Sequence, residues 1–314
     1  MSDPLNLSLR QLEHLLAVVD CNLSVSNAAI RLGVAQSAVS RSIIMIERNC
    51  GKKLFLRRGR RFIGQTDFCQ VLVSAARDVT SRMSNLRSRA ARAVTGDITG
   101  DLRIGATHLQ MRYFMPAIMR QMKEQLPGIN LKISQAIPYN LVDQVLARTI
   151  DACVCSEEVV QQQGLSTVHM YSWNRLLIGT GNEKILKVRQ PTIEQLAEVP
   201  LVTYIPGITG RFMLDAAFAR QRLTPNVVIA AADSDVIKEF VRRGLGVGVI
   251  ASVAYDPKAD ADLQARSVGH LFSEMKTRIA YRSDFQMNPA LEKFIEFFRS
   301  ATQSLPKIAG KAGK

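Results

Sequence analysis

The stretch S-N-A-A-I-R-L-G-V-A-Q-S-A-V-S-R-S-I-I-M-I-E, from Ser26 to Glu47, reads as a helix, a tight turn and a second helix. Ala28 and Ala29 are small enough for two helices to touch. Gly33, between Leu32 and Val34, lacks a Cβ and lets the chain turn sharply. Val39, Ile43 and Ile46 recur at i, i+4 and i+7, an apolar stripe along the second helix. The other face carries Gln36, Ser37, Ser40 and Arg41, with Ser26 at the start of the first helix. Compact hydrogen-bonding groups at a helix start are what a base-reading helix presents to a major groove.

Upstream, Ser8 and Gln11 have capping-box spacing, and Leu9, Leu12, Leu15, Leu16 and Val19 predict a helix over 9–20. Three helices in so short a span match a helix-turn-helix domain. Downstream, seven of the fourteen residues 48–61 are Lys or Arg and none is acidic. Leu54, Phe55, Leu56, Phe62 and Ile63 flank a turn of Arg57, Arg58, Gly59, Arg60 and Arg61, which predicts a β-hairpin wing. Its arginines suit phosphates or a minor groove.

Thr66 can cap the next helix, with Asp67 favourable in its first turn. No proline or glycine interrupts 67–94. Phe68, Leu72, Ala75, Val79, Met83 (or Arg82), Leu86, Ala90 and Ala93 step as a heptad seam, so this helix is expected to pair with a second copy. Residues 95–100, T-G-D-I-T-G, form a hinge by composition.

Charge follows the same division. The 314 residues carry a formal net charge of +14. Residues 1–95 hold fifteen basic and six acidic side chains, and the remainder twenty-six and twenty-one. A basic head on a nearly balanced body points to a polyanionic partner for the head. Five cysteines (21, 50, 69, 153 and 155) have no framework spacing and no signal-peptide pattern is expected, which favours a reducing cytoplasm. The longest near-apolar run, Leu245 to Ala254, is too short to span a bilayer, which takes about 20 residues.

Beyond the hinge, strands and helices alternate. Strands are expected near 102–106, 131–133, 152–155, 175–180, 201–204, 227–231 and 247–250, with a long final helix near 288–300. The rhythm predicts α/β units with parallel sheets. Gly244-Leu-Gly246-Val-Gly248 has its third glycine one position early for a dinucleotide loop, and reads as a helix C-cap running into a strand. His14, His108, His169 and His270 lack metal-ligand spacing, Cys153 and Cys155 read as buried thiols, and Trp173 as packing. No catalytic set stands out, so neither a catalytic nor a metal site is expected. The competing reading is an α/β binding protein or enzyme with an incidental basic head.

The motifs A-A-I-R-L-G-V-A-Q-S-A-V-S-R-S-I-x-x-I-E and G-K-K-L-F-x-R resemble the N-terminal signature of LysR-type transcriptional regulators, and the resemblance runs over nearly the full chain. Residues 171–175, 200–204, 207–211, 232–238 and 244–252 are similar to the bacterial regulators of cysteine biosynthesis and sulfur assimilation. The resemblance implies an α+β protein: a winged helix-turn-helix (1–66), a dimerising linker helix (67–95) and a two-lobed α/β effector domain (96–304) like periplasmic binding proteins. Lobe I would take about 101–174 and 283–304, lobe II about 175–282, with a flexible tail at 305–314. It implies binding to double-stranded promoter DNA, a homodimer through the linker helix, a homotetramer, contact with RNA polymerase and no membrane. It also implies no cofactor beyond a small effector such as O-acetylserine, N-acetylserine, sulfate or thiosulfate.

In that branch the effector is held by an A-T-x-T-Q stretch, a threonine after the third strand and an F-T-G-R turn. Thr107 and Gln110 match the first, Ser156 stands for the second and Thr209 matches the third, while Leu109 departs from the pattern. Thr107 and Thr209 fall where strands end and helices begin, beside free backbone N–H groups. Such a site can hold an anion without a buried Lys or Arg. Two further departures concern the reading helix: Ala35 lacks a side-chain cap, and Ser37 stands where many relatives have proline.

Overall fold

The computed structural model describes residues 6–59, 61–156, 160–284 and 287–303, apart from the side chain of Thr209. Arg60 and the tail at 305–314 lie outside the described residues. The chain divides into two compact units, one up to Gly96 and one from Asp97 onward, residues 147–149 aside.

In the first unit, α1 (Leu9–Asp20), α2 (Val25–Leu32) and α3 (Gln36–Cys50) precede a hairpin of β1 (Phe55–Arg58) and β2 (Arg61–Gln65). Ser8 and Gln11 form the expected capping box. Gly33 ends α2 at φ 65°, a left-handed conformation that few side chains tolerate, and this makes the turn between α2 and α3. Leu15, Val18, Ala28, Val39, Ile43 and Ile46 are buried together, as the apolar periodicity requires. Phe55 and Phe62 stack across the hairpin at 4.4 Å and fix its twist. The helix α4 (Asp67–Thr95) starts at Thr66, whose hydroxyl accepts the Cys69 N–H.

Cys69, Val73 and Ala76 of α4 bury against the three-helix core. Phe68 and Leu72, the first two positions of the expected seam, also pack on that core. Further along, Val79 and Leu86 remain 47% and 61% exposed. The early turns of α4 therefore pack on their own unit, and its later turns present uncovered apolar side chains.

The second unit holds two five-stranded sheets. Lobe I contains β3 (Gly100–Ala106), β4 (Ile129–Gln135), β5 (Ala152–Ser156), β6 (Leu165–Trp173) and β12 (Met275–Arg282), in the order β4-β3-β5-β12-β6. Lobe II contains β7 (Arg175–Gly179), β8 (Leu201–Tyr204), β9 (Val227–Ala231), β10 (Val247–Ala251) and β11 (Gln264–Ser267), in the order β11-β7-β10-β8-β9.

Two expectations need correction. The sheets are mixed, because β12 runs antiparallel to β5 and β6, and β7 runs antiparallel to β10 and β11. The return to lobe I also comes earlier than residue 283. Met275–Arg282 is a strand of the lobe I sheet, so the second crossover lies between Ser267 and Met275. Its face of Met275, Thr277 and Ile279 is buried in that lobe, which excludes it from lobe II.

Asn174, between β6 and β7, fastens both crossovers. Its Nδ2 donates to the carbonyls of Gly269 (3.2 Å) and Phe272 (3.4 Å), and its Oδ1 accepts from Arg175 N–H. Gly246, at φ 150°, brings the chain so close to the Pro200 carbonyl that a Cβ would lie 2.6 Å from it. The Gly244–Gly248 run is thus the end of the helix Ser234–Arg242 leading into β10, as expected, and no nucleotide loop.

Candidate nucleic-acid interface and effector cleft

On the head, Ser26, Gln36, Ser37 and Arg41 are exposed and Ser40 is half-buried, all on the side of α2 and α3 away from the core. Ala35 begins α3 without a side-chain cap, as its methyl dictates. Arg58 and Arg61 face each other at the hairpin tip and are exposed. Arg57 has a different place from the one expected of it. Its Nη2 lies 3.0 Å from Glu47 Oε2, and its guanidinium sits 4.8 Å over the Phe62 ring. It joins the wing to α3.

Glu47 is the residue that positions the wing, and the sequence pattern did not single it out for this. Its carboxylate is buried at the end of α3 and accepts from Leu54 N–H (3.0 Å), Lys53 Nζ (3.2 Å) and Arg57. Burial opposes its charge, but these hydrogen bonds and cations outweigh burial and hold the carboxyl below the usual range. The helix that faces the groove and the hairpin beside it are thereby set at one angle.

In the second unit, Thr107 stands between β3 and α5 (His108–Tyr113). Its N–H donates to Val154 O of β5, while its hydroxyl makes no capping bond. Ser156 ends β5, half-buried, in register with Thr277 of β12. Thr107, Ser156 and Gln110 thus gather at the C-terminal ends of β3 and β5, where open α/β sheets take ligands. Gln110 is 1% exposed and its Oε1 accepts from Tyr171 OH at 3.0 Å, so it braces this end of lobe I from behind. Thr209 is the first residue of the helix Thr209–Arg220 in lobe II; its hydroxyl lies outside the described residues.

A buried cation stands near that helix start, contrary to expectation. Arg175 is 2% exposed, lies between the rings of Trp173 (5.8 Å) and Phe272 (4.8 Å), and reaches Gly210 O at 3.4 Å. Trp173 is therefore more than filler, because it also donates to Thr277 Oγ1 at 3.2 Å. Neither hydrogen bond had a local signal in the sequence, since Gly210 lies 35 residues from Arg175 and Thr277 lies 104 from Trp173.

The lobes are also latched. Arg112 Nε and Tyr113 OH of α5 donate to Asp235 Oδ2 (2.7 Å) and Oδ1 (2.9 Å) at the start of the helix Ser234–Arg242. Lys238 stands 3.1 Å from the same carboxylate and 3.0 Å from Asp260. Burial opposes charge on Asp235, yet the bonds from Arg112, Lys238 and Tyr113 bring the carboxyl down to about 2. Leu109 and Tyr113 pack against the cores of both lobes. One short helix therefore follows directly on Thr107 and carries the latch at its end.

Cys153 and Cys155 are fully buried with their sulfurs 4.0 Å apart. The mutual hydrogen bond and burial push the Cys155 thiol up, which disfavours the reactive thiolate. Among the described residues, no cluster of three or more metal-ligating side chains occurs, and no single helix is long and apolar enough to cross a membrane.

A basic helix-turn-helix with a wing, joined by a long helix to a two-lobed α/β sensor, defines an effector-linked DNA-binding regulator. Residues 9–70 match the family model "Bacterial regulatory helix-turn-helix protein, lysR family", and residues 95–303 match "LysR substrate binding domain". The chain belongs to the LysR family of transcriptional regulators. It is 32% identical to the HTH-type transcriptional regulator CysB of Haemophilus influenzae, over 93% of this chain and 90% of that protein. It is 31% identical to the HTH-type transcriptional regulator SsuR of Burkholderia cenocepacia, over 93% and 94%. The crystal structure of the cofactor-binding domain of the Cbl transcriptional regulator superposes with a TM-score of 0.60 at 29% identity, over 65% of this chain and 90% of that one. The reading as a stand-alone enzyme falls away.

Proposed function

We propose that this regulator controls genes of sulfur assimilation and cysteine biosynthesis in the cytoplasm, in response to a small anionic or zwitterionic effector held between its lobes. What supports the sulfur assignment is the likeness to CysB, SsuR and Cbl along nearly the whole chain. What supports the anion is the chemistry at the strand ends. Thr107 leaves its hydroxyl uncommitted to capping, Ser156 offers a second hydroxyl nearby, and Arg175 places positive charge at the start of the Thr209–Arg220 helix. O-acetylserine, N-acetylserine, sulfate and thiosulfate all fit such a donor set.

In this reading two copies pair through the later turns of α4, covering Val79 and Leu86, and two pairs make a homotetramer. Paired heads meet two half-sites of promoter DNA, and the bound complex engages RNA polymerase. A thermal-shift titration with the four compounds tests the effector. A true effector raises the melting temperature with its concentration, since a ligand of the native state stabilises by mass action. The proposal fails at the effector if none of the four does so. Calorimetry on Thr107→Ala then assigns the site, with an expected loss of about 1–2 kcal/mol in binding.

A further inference from the structure

The exposed side of α3 carries two large apolar residues that neither charge nor hydrogen bonding explains, Ile44 and the less exposed Met45. Ile44 is 53% exposed, although the helix already has a complete apolar stripe in Val39, Ile43 and Ile46. Helical spacing puts Ile44 beside Ser37, Ser40, Arg41 and Arg48, at i−7, i−4, i−3 and i+4. A bare isoleucine among serines and arginines does nothing for the solubility or packing of the head.

A second observation fixes what faces it. Ile44 lines a cavity of about 400 Å³ between the C-terminal half of α3 and the wing. The same walls carry Arg48, Lys52, Lys53 and Arg57 around the single carboxylate of Glu47. Lys53 keeps its side chain 75% exposed despite its bond to Glu47, so it is available to a phosphate. When α3 lies in a major groove and the wing lies beside it, the sugar–phosphate strand dividing the two grooves has to pass between them. This cationic cleft is where that strand fits, by shape and by charge. Ile44 stands at the edge of the cleft on the side of Ser40 and Arg41, which is the base-facing side. The apolar feature that a major groove offers is the C5-methyl group of thymine.

We propose that Ile44 reads a thymine methyl in each half-site, while Arg48, Lys52 and Lys53 grip the phosphates of the adjoining strand. Ile44 is then a specificity-determining residue and the three cations are sequence-blind anchors. The inference rests on the family's DNA binding and not on the identity of the effector.

The test uses the full chain and a duplex selected by it from a random pool. Each thymine of the selected site is replaced in turn by deoxyuridine, which removes the methyl and nothing else. Wild-type protein and Ile44→Ala are titrated against every duplex, with Lys53→Ala as a control. Ile44 is solvent-facing, so the alanine variant keeps its fold. The expected result is one thymine per half-site whose methyl, once removed, weakens wild-type binding about three- to fivefold, the loss that follows from one buried methyl group. Ile44→Ala is weakened by a similar factor and is indifferent to deoxyuridine at that position alone. Lys53→Ala loses affinity equally on all duplexes and lowers the salt slope by about one.

The inference is overturned if wild type and Ile44→Ala respond alike to every deoxyuridine, which would place Ile44 against a sugar or outside the interface. It is overturned too if Ile44→Ala binds DNA unchanged but sediments as a smaller assembly, which would make Ile44 a contact between protein chains. A wild-type chain that selects no duplex at all defeats the DNA-binding assignment itself, a separate outcome.

Discussion

Glu47 sits at the point where the reading helix and the wing are made one object. Its side chain is 5% exposed and carries three hydrogen bonds, two of them to cations. Removing the carboxylate leaves the buried Leu54 N–H without its acceptor, while the Lys53 and Arg57 cations, both exposed, return to water. Glu47→Ala is expected to destabilise the head by about 1–2 kcal/mol, read by urea unfolding followed at the head, and to weaken duplex binding of the protein that remains folded. Unchanged unfolding would show that the carboxylate is dispensable.

The same carboxylate gives a pH prediction. Folding lowers the Glu47 pKa, so its stabilisation is complete above the unfolded value and fades as the pH falls through the lower folded value. The head of the wild type should therefore lose stability on the acid side, and Glu47→Gln should show less of that acid-side loss. The exposed placing of Gln36 and Ser37 at the start of α3 was legible from spacing alone. Glu47 was visible only as the last letter of a motif, because its work depends on Lys53 and Arg57 folding back toward it.

At the scale of elements, α4 is the one that a single chain leaves unfinished. Its first turns are anchored by Cys69, Val73 and Ala76, and it continues with Val79 and Leu86 exposed. Val79→Glu with Leu86→Glu should halve the mass measured by light scattering and leave the helical circular dichroism nearly intact. Collapse of the helix signal would instead mean that these residues serve folding. The helices and most strands were legible because each is a local period of apolar residues bounded by caps, glycines or prolines. The strands β6, β11 and β12 were not. They break the strand–helix rhythm, since β12 returns from the second lobe and inserts antiparallel between β5 and β6. Nothing within Met275–Arg282 states which sheet it will join, and that is why the lobe boundary fell eight residues late. The site followed the same rule. The position of Thr107 at a strand end was legible locally and Ser156 came only through the resemblance, whereas Asn174 and Asp235 act on partners up to 123 residues away.

Across the whole second unit, α5 runs from Thr107 at the end of one sheet to the latch on the other lobe. Asp235 holds Arg112 and Tyr113 across the lobes, and its remaining contacts run through Lys238 to Asp260. The latch is partly exposed, so screening limits its worth to about 1 kcal/mol. Asp235→Asn should therefore leave melting nearly unchanged. It should reduce the effect of effector on DNA affinity, a coupling of about 1–3 kcal/mol in such systems. The check is a duplex titration with and without effector: equal coupling in variant and wild type would remove the latch from the signalling route.

The central claim is that the basic head grips duplex DNA through phosphates on the wing and α3. Its most direct measurement is the duplex dissociation constant across a range of salt concentrations, for wild type and for Arg58→Ala with Arg61→Ala. The wild type should weaken steeply and linearly on logarithmic axes, and the variant should show a slope shallower by about 0.9 for each phosphate it no longer neutralises. Identical slopes for the two proteins, or no duplex binding by the wild type even at low salt, would contradict it.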